Sequence, residues 1–141
     1  SGEIPAAPTN PYALSKAAGE DMLRYYVRKG LPSAVAIRFP KLTHEPPPVS
    51  GWNWADARWD EAFTWLTFAD AARLVSATIS TAPAGFRVYF PAASRPWMPG
   101  SIAELRQRYF GDTPVRDGNP LQSFVDCSLI QDETGWSPRD L

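Results

Sequence analysis

Tyr12 and Lys16 stand four residues apart at the start of a long helical pattern. Residues with this spacing lie on one face of an α-helix, so the lysine ammonium would sit beside the tyrosine ring. A neighbouring positive charge lowers the pKa of a phenol, whose unperturbed value is about 10. The spacing therefore predicts a tyrosine that donates or accepts a proton near neutral pH.

The same spacing recurs at Tyr25 and Lys29, near the far end of the same pattern. A solvated lysine close to a helix C-terminus explains that second pair without any chemistry. Spacing alone therefore does not identify the reactive pair. The sequence around each pair is needed to distinguish them.

The first helix is well delimited by the sequence. Asn10 is a suitable N-cap, Pro11 suits the first helical position, and Gly30 with Pro32 ends the helix. One set of side chains forms an apolar stripe: Leu14, Ala18, Met22 and Tyr25. A second set is expected to face water: Glu20, Arg24 and Arg28.

The remaining elements alternate between strands and helices. Residues 33–39 have the continuous apolar character of a buried parallel strand. The other predicted elements are a strand near 86–90, helices near 69–81, 102–110 and 127–134, a possible helix over 55–64, and a possible short strand over 121–125. Because so few parallel strands rarely support a sheet, the remaining strands are expected elsewhere, and the first ten residues resemble the middle of a longer polypeptide.

Composition limits the function classes. The chain has 141 residues, is 44% hydrophobic and carries a net charge of -1, so binding to nucleic acid or to a membrane through bulk electrostatics is not expected. The single cysteine, Cys127, excludes an internal disulfide and suits a reducing cytoplasm. The single histidine, His44, argues against a zinc site and a Ser-His-Asp triad, and no metal is expected.

Four segments, in order, resemble the extended short-chain dehydrogenase/reductase family of NAD(P)-dependent sugar-nucleotide epimerases and dehydratases. They are Pro8–Glu20 with its P-x-x-P-Y-x-x-S-K-x-x-x-E pattern, Val35–Pro40, Leu66–Arg73 and the Gly-Trp-x-Pro stretch within Glu133–Pro138. The resemblance implies the C-terminal portion of a Rossmann-like doubly wound α/β fold. Residues 1–43 would end the Rossmann-like domain, and 44–141 would be mostly a helical substrate-binding region, with helix 69–81 and strand 86–90 on the sheet.

The resemblance also implies roles. Tyr12 would be the catalytic acid/base, and Lys16 would lower its pKa and bind the ribose of NAD or NADP. Phe39 and Pro40 would face the nicotinamide. Asp70 would hold its helix start in place. The family often dimerises through the Tyr-xxx-Lys helix, where three residues of this chain could contribute: Leu23, Tyr26 and Val27.

Other family features are missing or changed. The Gly-rich phosphate loop and the usual Ser/Thr before the tyrosine are absent, so these 141 residues are expected to bind no cofactor alone and to need an N-terminal half of the same protein. Lys41 replaces an asparagine, His44-Glu45 replaces Gly-Pro, and Phe63 replaces a diphosphate-binding arginine. A non-catalytic binding or regulatory protein and a truncated enzyme are therefore alternatives.

Substrate contacts are predicted at three positions. Lys41, Trp52 and Trp54 are candidates for a small-molecule substrate. Burial in a core is the alternative for the tryptophans, and a solvated loop lysine is the alternative for Lys41.

Overall fold

The computed structural model describes residues 7–48, 63–111, 113–114 and 123–139. Its elements in chain order are α1 (Pro11–Arg28), β1 (Ser33–Ile37), β2 (Lys41–Thr43), β3 (Trp65–Thr67), α2 (Phe68–Thr81), β4 (Gly85–Tyr89), α3 (Ile102–Tyr109) and α4 (Ser128–Thr134). The strand pairing is parallel, which confirms the predicted α/β class. None of the helices in these ranges is long and apolar enough to cross a membrane.

Helix α1 begins and ends where the sequence predicts. The Asn10 side chain accepts a hydrogen bond from the Ala13 amide at 2.8 Å, and Pro11 occupies the first turn. This cap satisfies one of the amides that a helix start leaves without an intrahelical partner. Gly30 follows the last turn with a φ of 107°, a left-handed conformation that ends the helix at little steric cost.

The buried side of α1 differs from the predicted stripe. The predicted apolar stripe is exposed, with Leu14 and Met22 each 59% accessible. The side towards β1 and β4 instead carries five half-buried residues: Ala13, Ala17, Glu20, Leu23 and Val27. Alanines let the helix backbone approach the sheet closely, whereas a hydrophobicity pattern selects the largest apolar side chains. Glu20 lies on this half-buried side, so the expectation that it faces water was wrong.

Within the described residues, two small parallel sheets form the strand framework. In one, β1 pairs with β4 in a register that sets Ser33 opposite Gly85 and Ile37 opposite Tyr89. In the other, β2 pairs with β3. Strands β2 and β3 were not predicted, because three residues are too few to show a period.

The main core lies on one face of the β1–β4 sheet. It joins Leu74 of α2, Tyr89 of β4, Ile130 of α4 and Trp136, and the β1 side chains Val35 and Ile37 pack against it. Helix α1 covers the other face, where its Arg24 guanidinium lies 4.8 Å from the ring centroid of Phe86 in β4. The sheet is therefore covered by a helix on each face, as in α/β proteins.

A second, aromatic cluster surrounds α3. Met98 and Leu105 are buried there and contact Phe63, Tyr109 and Phe124. Ser101 caps α3 in a reciprocal capping box with Glu104, which confirms the predicted helix start. The final predicted helix is also present as α4.

Two further predictions concern segments that lie wholly or partly outside the described residues. Most of the possible helix over 55–64 lies outside the described residues. So do the first two positions of the possible strand over 121–125, and its positions 123–125 are not a strand.

Candidate functional site

Helix α1 carries Tyr12 and Lys16 on one side of its first two turns. The Lys16 ammonium lies 5.1 Å from the centroid of the Tyr12 ring. The Tyr12 side chain is 73% exposed, so its hydroxyl is open to a ligand. The helix cap at Asn10 fixes the start of α1, from which both residues project.

Tyr12 and Lys16 line a groove between α1 and the end of β1. The groove has a volume of about 600 Å³, and its α1 wall also includes Glu20. The opposite wall is the carboxyl end of β1 with the residues that follow it, Arg38 and Phe39. Ligands of open α/β sheets bind at the carboxyl ends of the strands, so the groove lies where such a site is expected.

An ion pair between Glu20 and Arg38 joins the two walls of the groove. The Arg38 guanidinium donates two hydrogen bonds of 2.8 Å to the Glu20 carboxylate, one to each oxygen. The bond from Arg38 lowers the pKa of Glu20, and partial burial of the carboxyl opposes that shift. Because Glu20 lies one turn after Lys16, this bidentate pair fixes the lysine side of α1 against the end of β1.

Sequence reasoning missed this pair, although a useful pattern was present. Glu20 continues the four-residue spacing of Tyr12 and Lys16 along one face of α1. Arg38 interrupts an otherwise apolar strand end, and a charge at such a position needs a partner.

The second tyrosine–lysine pair has similar internal geometry. The Lys29 ammonium lies 5.7 Å from the Tyr25 ring centroid, close to the separation in the first pair. Neither Tyr25 nor Lys29 lines the groove. Position relative to the end of β1, rather than the pair itself, therefore distinguishes the two.

The other predicted site residues divide into three groups. Phe39 lines the groove, and Pro40 follows it as a half-buried residue. Lys41 begins β2 rather than lying in a loop, and its ammonium stands 4.5 Å from the Trp97 ring centroid. Trp52 and Trp54 lie outside the described residues.

Metal and thiol chemistry find no support in the part of the chain that the structure describes. No group of three His, Cys, Asp or Glu residues there could hold a metal ion. Burial raises the pKa of the Cys127 thiol, and Asp126 adds to that rise. A thiol with a raised pKa is a poor nucleophile at neutral pH.

Asp70 has the structural role that was predicted for it. Its carboxylate accepts hydrogen bonds from the Arg73 guanidinium and from the Arg139 amide. Its own amide donates to Thr67, which caps α2. The Trp136 indole donates to the Asp70 carbonyl oxygen at 3.1 Å. Asp70 thus ties the start of α2 to the C-terminal segment.

Comparison with known proteins identifies the fold. No protein-family model and no curated protein matches the sequence. Solved structures of uronate dehydrogenase from Agrobacterium tumefaciens match 84% of this chain at 23% identity, with a TM-score of 0.51, or 0.52 for a tyrosine-to-alanine variant complexed with NAD. A mutated uronate dehydrogenase matches at 22% identity with a TM-score of 0.52.

The chain spans 46% of the length of the first of these structures. Such a likeness establishes the fold. The chain is a mixed α/β structure with parallel strands that matches a portion of a Rossmann-like protein.

Proposed function

We propose that this chain is the C-terminal, substrate-side half of an NAD(P)-dependent oxidoreductase or epimerase in which Tyr12 moves the proton. The observation that carries the proposal is the groove, where Tyr12, Lys16 and Phe39 meet at the carboxyl end of β1. An exposed phenol beside an ammonium suits proton exchange with a substrate hydroxyl or carbonyl.

Each groove residue has a role in the proposal. The Tyr12 hydroxyl exchanges a proton with the substrate oxygen. The Lys16 ammonium stabilises the ionised phenol and binds the ribose of the cofactor. The backbone at Phe39 and Pro40 would hold the nicotinamide of the bound cofactor. The cofactor, when bound, supplies the hydride chemistry, while these side chains orient the reactants and hold the proton.

The described residues fit one end of a dinucleotide. A groove of about 600 Å³ is in the range of small-molecule sites. It offers an ammonium and a strand end, which suit a nicotinamide riboside. No Gly-rich phosphate loop is present in the sequence, so the diphosphate needs another segment. We therefore propose that the N-terminal half of the same protein completes the site, and that this chain alone is inactive.

We propose a small hydroxy or oxo compound as the substrate. Phe63, at the position where the resembled family has a diphosphate-binding arginine, packs edge-on against Phe110 and Phe124 at centroid distances of 4.8 and 5.1 Å. An aromatic side chain committed to this cluster offers no cation to a nucleoside diphosphate. The fold shared with uronate dehydrogenase supports a sugar acid as the substrate. Lys41 is then a candidate to bind the carboxylate of that sugar acid.

The test compares two tyrosines and two lysines in the complete gene product. NAD(P)-dependent oxidation of uronates and aldoses is measured for Tyr12→Phe and Lys16→Met, with Tyr25→Phe and Lys29→Met as matched controls. Loss of a general acid/base predicts about a hundredfold or greater fall in kcat for Tyr12→Phe. The controls should keep full activity. An active enzyme that is indifferent to Tyr12→Phe would overturn the proposal.

A non-catalytic binding protein on the same fold is the second candidate. The changes at Lys41 and Phe63 favour it, since both replace polar groups of the resembled family. Titration of the complete gene product with NAD and NADH, followed by tyrosine and tryptophan fluorescence, separates the candidates. Cofactor binding without turnover of any uronate or aldose supports the second candidate.

We also propose a homodimer through α1. Tyr26 is 52% exposed and available to a second copy, whereas Leu23 lines the groove. The exposed residues Leu14 and Met22 would contribute more to such a contact than Leu23.

A further inference from the structure

We infer that Arg38 is a positioning residue, which keeps Lys16 beside Tyr12 by occupying the Glu20 carboxylate that would otherwise attract the lysine. This role rests on the proposed function, in which the Lys16 ammonium stabilises the ionised phenol and binds the ribose of the cofactor. Arg38 acts on that chemistry only through Glu20 and Lys16.

Lys16 stands between two possible partners on one face of α1. Tyr12 precedes it by four residues and Glu20 follows it by four residues, so both side chains are neighbours of the lysine. A carboxylate carries a full charge and attracts an ammonium more strongly than the face of an exposed tyrosine ring does. The local sequence therefore favours an ion pair between Lys16 and Glu20, which would take the ammonium away from Tyr12.

The structure has the opposite arrangement. The Lys16 ammonium lies 5.1 Å from the centroid of the Tyr12 ring. The Glu20 carboxylate meets the end of β1, where the Arg38 guanidinium donates one hydrogen bond of 2.8 Å to each of its oxygens. A bidentate pair of this kind is strong and holds the carboxylate in one orientation. Arg38 therefore occupies Glu20, and the ammonium of Lys16 stays with Tyr12.

Low exposure makes Glu20 dependent on a cationic partner. Its side chain is 12% exposed and that of Arg38 is 27% exposed, so water solvates the carboxylate only in part. Removing one member of a shielded ion pair leaves a charge that needs another partner. Among the described residues that line the groove, Lys16 is the cation that would remain. Loss of Arg38 would therefore draw Lys16 towards Glu20.

Arg24 is a further cation on α1 that acts on Glu20. Its guanidinium lies 4.8 Å from the ring centroid of Phe86 in β4, and it does not line the groove. Arg24 therefore already has a partner away from Lys16, and the competition that we infer is between Lys16 and Arg38.

Three variants of the complete gene product test this role. Arg38→Met removes the guanidinium and releases the Glu20 carboxylate to Lys16. Arg38→Met combined with Glu20→Gln also removes that carboxylate, so the attraction on the lysine is lost. Arg87→Met is the matched control. Arg87 lies on the neighbouring strand β4, forms a comparable ion pair of 2.6 Å with Glu133, and is not among the groove residues.

The position of Lys16 is measured by NMR, independently of activity. Nuclear Overhauser effects between the lysine methylenes and the Tyr12 ring are recorded with isotope-labelled lysine and tyrosine. They should be present in the native protein and in Arg87→Met, lost in Arg38→Met, and restored in the double variant. The second pair, Tyr25 and Lys29, has a similar separation of 5.7 Å and should be unchanged throughout, which makes it the internal reference.

Steady-state kinetics give a second measurement. Displacement of the Lys16 ammonium should lower kcat and raise KM for NAD. We expect about a tenfold fall in kcat/KM for Arg38→Met, because a neighbouring opposite charge changes the ionisation of a side chain by about tenfold or more. The double variant should regain most of that loss. Arg87→Met should keep its kcat/KM even where its Tm falls.

Three results would overturn this role for Arg38. One is an unchanged contact between Lys16 and Tyr12 in Arg38→Met. Another is loss of that contact in the double variant, which would show that the ion pair acts by joining α1 to β1. The third is an equal fall in kcat/KM for Arg38→Met and Arg87→Met, as general destabilisation would give.

Two further provisions keep the outcomes distinct. If Arg38→Met does not fold, Arg38→Gln takes its place, because glutamine keeps one donor for Glu20 but carries no charge, and the same loss of contact is expected. Failure of the proposed function has a different signature. Tyr12→Phe would then leave activity unchanged, while the contact between Lys16 and Tyr12 would still depend on Arg38.

Discussion

Two tyrosine–lysine pairs with the same spacing show what the sequence predicts about the structure around a single residue and what it does not. Spacing predicts that each lysine approaches its tyrosine, and the ammonium-to-ring distances are 5.1 and 5.7 Å. It does not predict which pair lies at a strand end. The motif around Tyr12 indicates that pair, and the groove beside β1 is consistent with the choice.

Glu20 is the residue whose environment the sequence misrepresented. Its side chain is 12% exposed and takes both bonds from Arg38, although a carboxylate on a helix usually faces water. A partner 18 positions away decides this, and helical periodicity contains no information about that contact.

We predict that Glu20→Gln lowers the free energy of unfolding by about 1–2 kcal/mol at pH 7, because a charge-assisted pair becomes a neutral contact. Asp21→Asn is the control. The Asp21 side chain is 84% exposed and 4.0 Å from Arg24, so its loss should cost less than about 0.5 kcal/mol. Urea unfolding measures both variants. Equal effects would contradict the proposed importance of the Glu20–Arg38 pair.

The same pair has a defined pH dependence. The folded-state pKa of Glu20 lies below its ordinary value of 4.5, so the unfolded chain binds the proton more readily. The contribution of the pair is therefore complete above pH 4.5 and is lost as the pH falls through the lowered folded value. The difference between the native chain and Glu20→Gln should shrink over that interval.

At the scale of elements, helix boundaries were predictable because local chemistry sets them. The Asn10 cap, the Ser101–Glu104 capping box and the Gly30 stop each act within a few residues. Strands β2 and β3 depend on pairing between residues over 20 positions apart, so their three-residue segments gave no local pattern. The side that α1 buries likewise depends on the sheet beneath it.

The join between β4 and α4 is another non-local contact. Glu133 of α4 accepts a hydrogen bond from the Tyr89 hydroxyl and another from the Arg87 guanidinium. Burial raises the pKa of Tyr89, and the bond to Glu133 raises it further. Burial also raises the pKa of Glu133, but the bonds from Tyr89 and Arg87 outweigh that effect and leave it lowered. The contact holds α4 against the sheet.

For α1 as an element, we predict that Gly19→Ala raises the free energy of unfolding by about 0.5–1 kcal/mol. Gly19 lies inside the helix, and a Cβ built there meets nothing within 4 Å. Gly30→Ala is the contrasting variant. Its φ of 107° disfavours any side chain, so we expect a loss of about 1 kcal/mol or more. Thermal unfolding followed by circular dichroism measures both, and a destabilising Gly19→Ala would show that another segment packs there.

At the scale of the whole molecule, the C-terminal segment closes the main core. Trp136 is 2% exposed, packs in the same cluster as Leu74 and Tyr89, and donates to the Asp70 carbonyl oxygen. Trp136 therefore anchors the C-terminal segment to the main core. The sequence did not predict the hydrogen-bond partner of Trp136, because Asp70 lies 66 positions earlier.

This closure predicts a graded loss of stability. Trp136→Phe keeps most of the apolar volume but removes the indole donor, so it should cost about 1–3 kcal/mol by leaving the buried Asp70 carbonyl oxygen without that bond. Trp136→Ala also opens a cavity and should cost about 3–5 kcal/mol. Leu129→Ala is the control on the neighbouring helix α4, where Leu129 is 45% exposed, and its cost should stay below about 1 kcal/mol.

Urea unfolding monitored at the tyrosine and tryptophan bands gives these values, with circular dichroism as a second probe. Coincident transitions by the two probes would show that the C-terminal segment and the sheet unfold as one unit. If Trp136→Ala were no more costly than Leu129→Ala, the segment after α4 would not close the core. The β1–β4 sheet would then be held by its own strands and the helices that cover its two faces. The contact between Asp70 and the C-terminal segment would add nothing to stability.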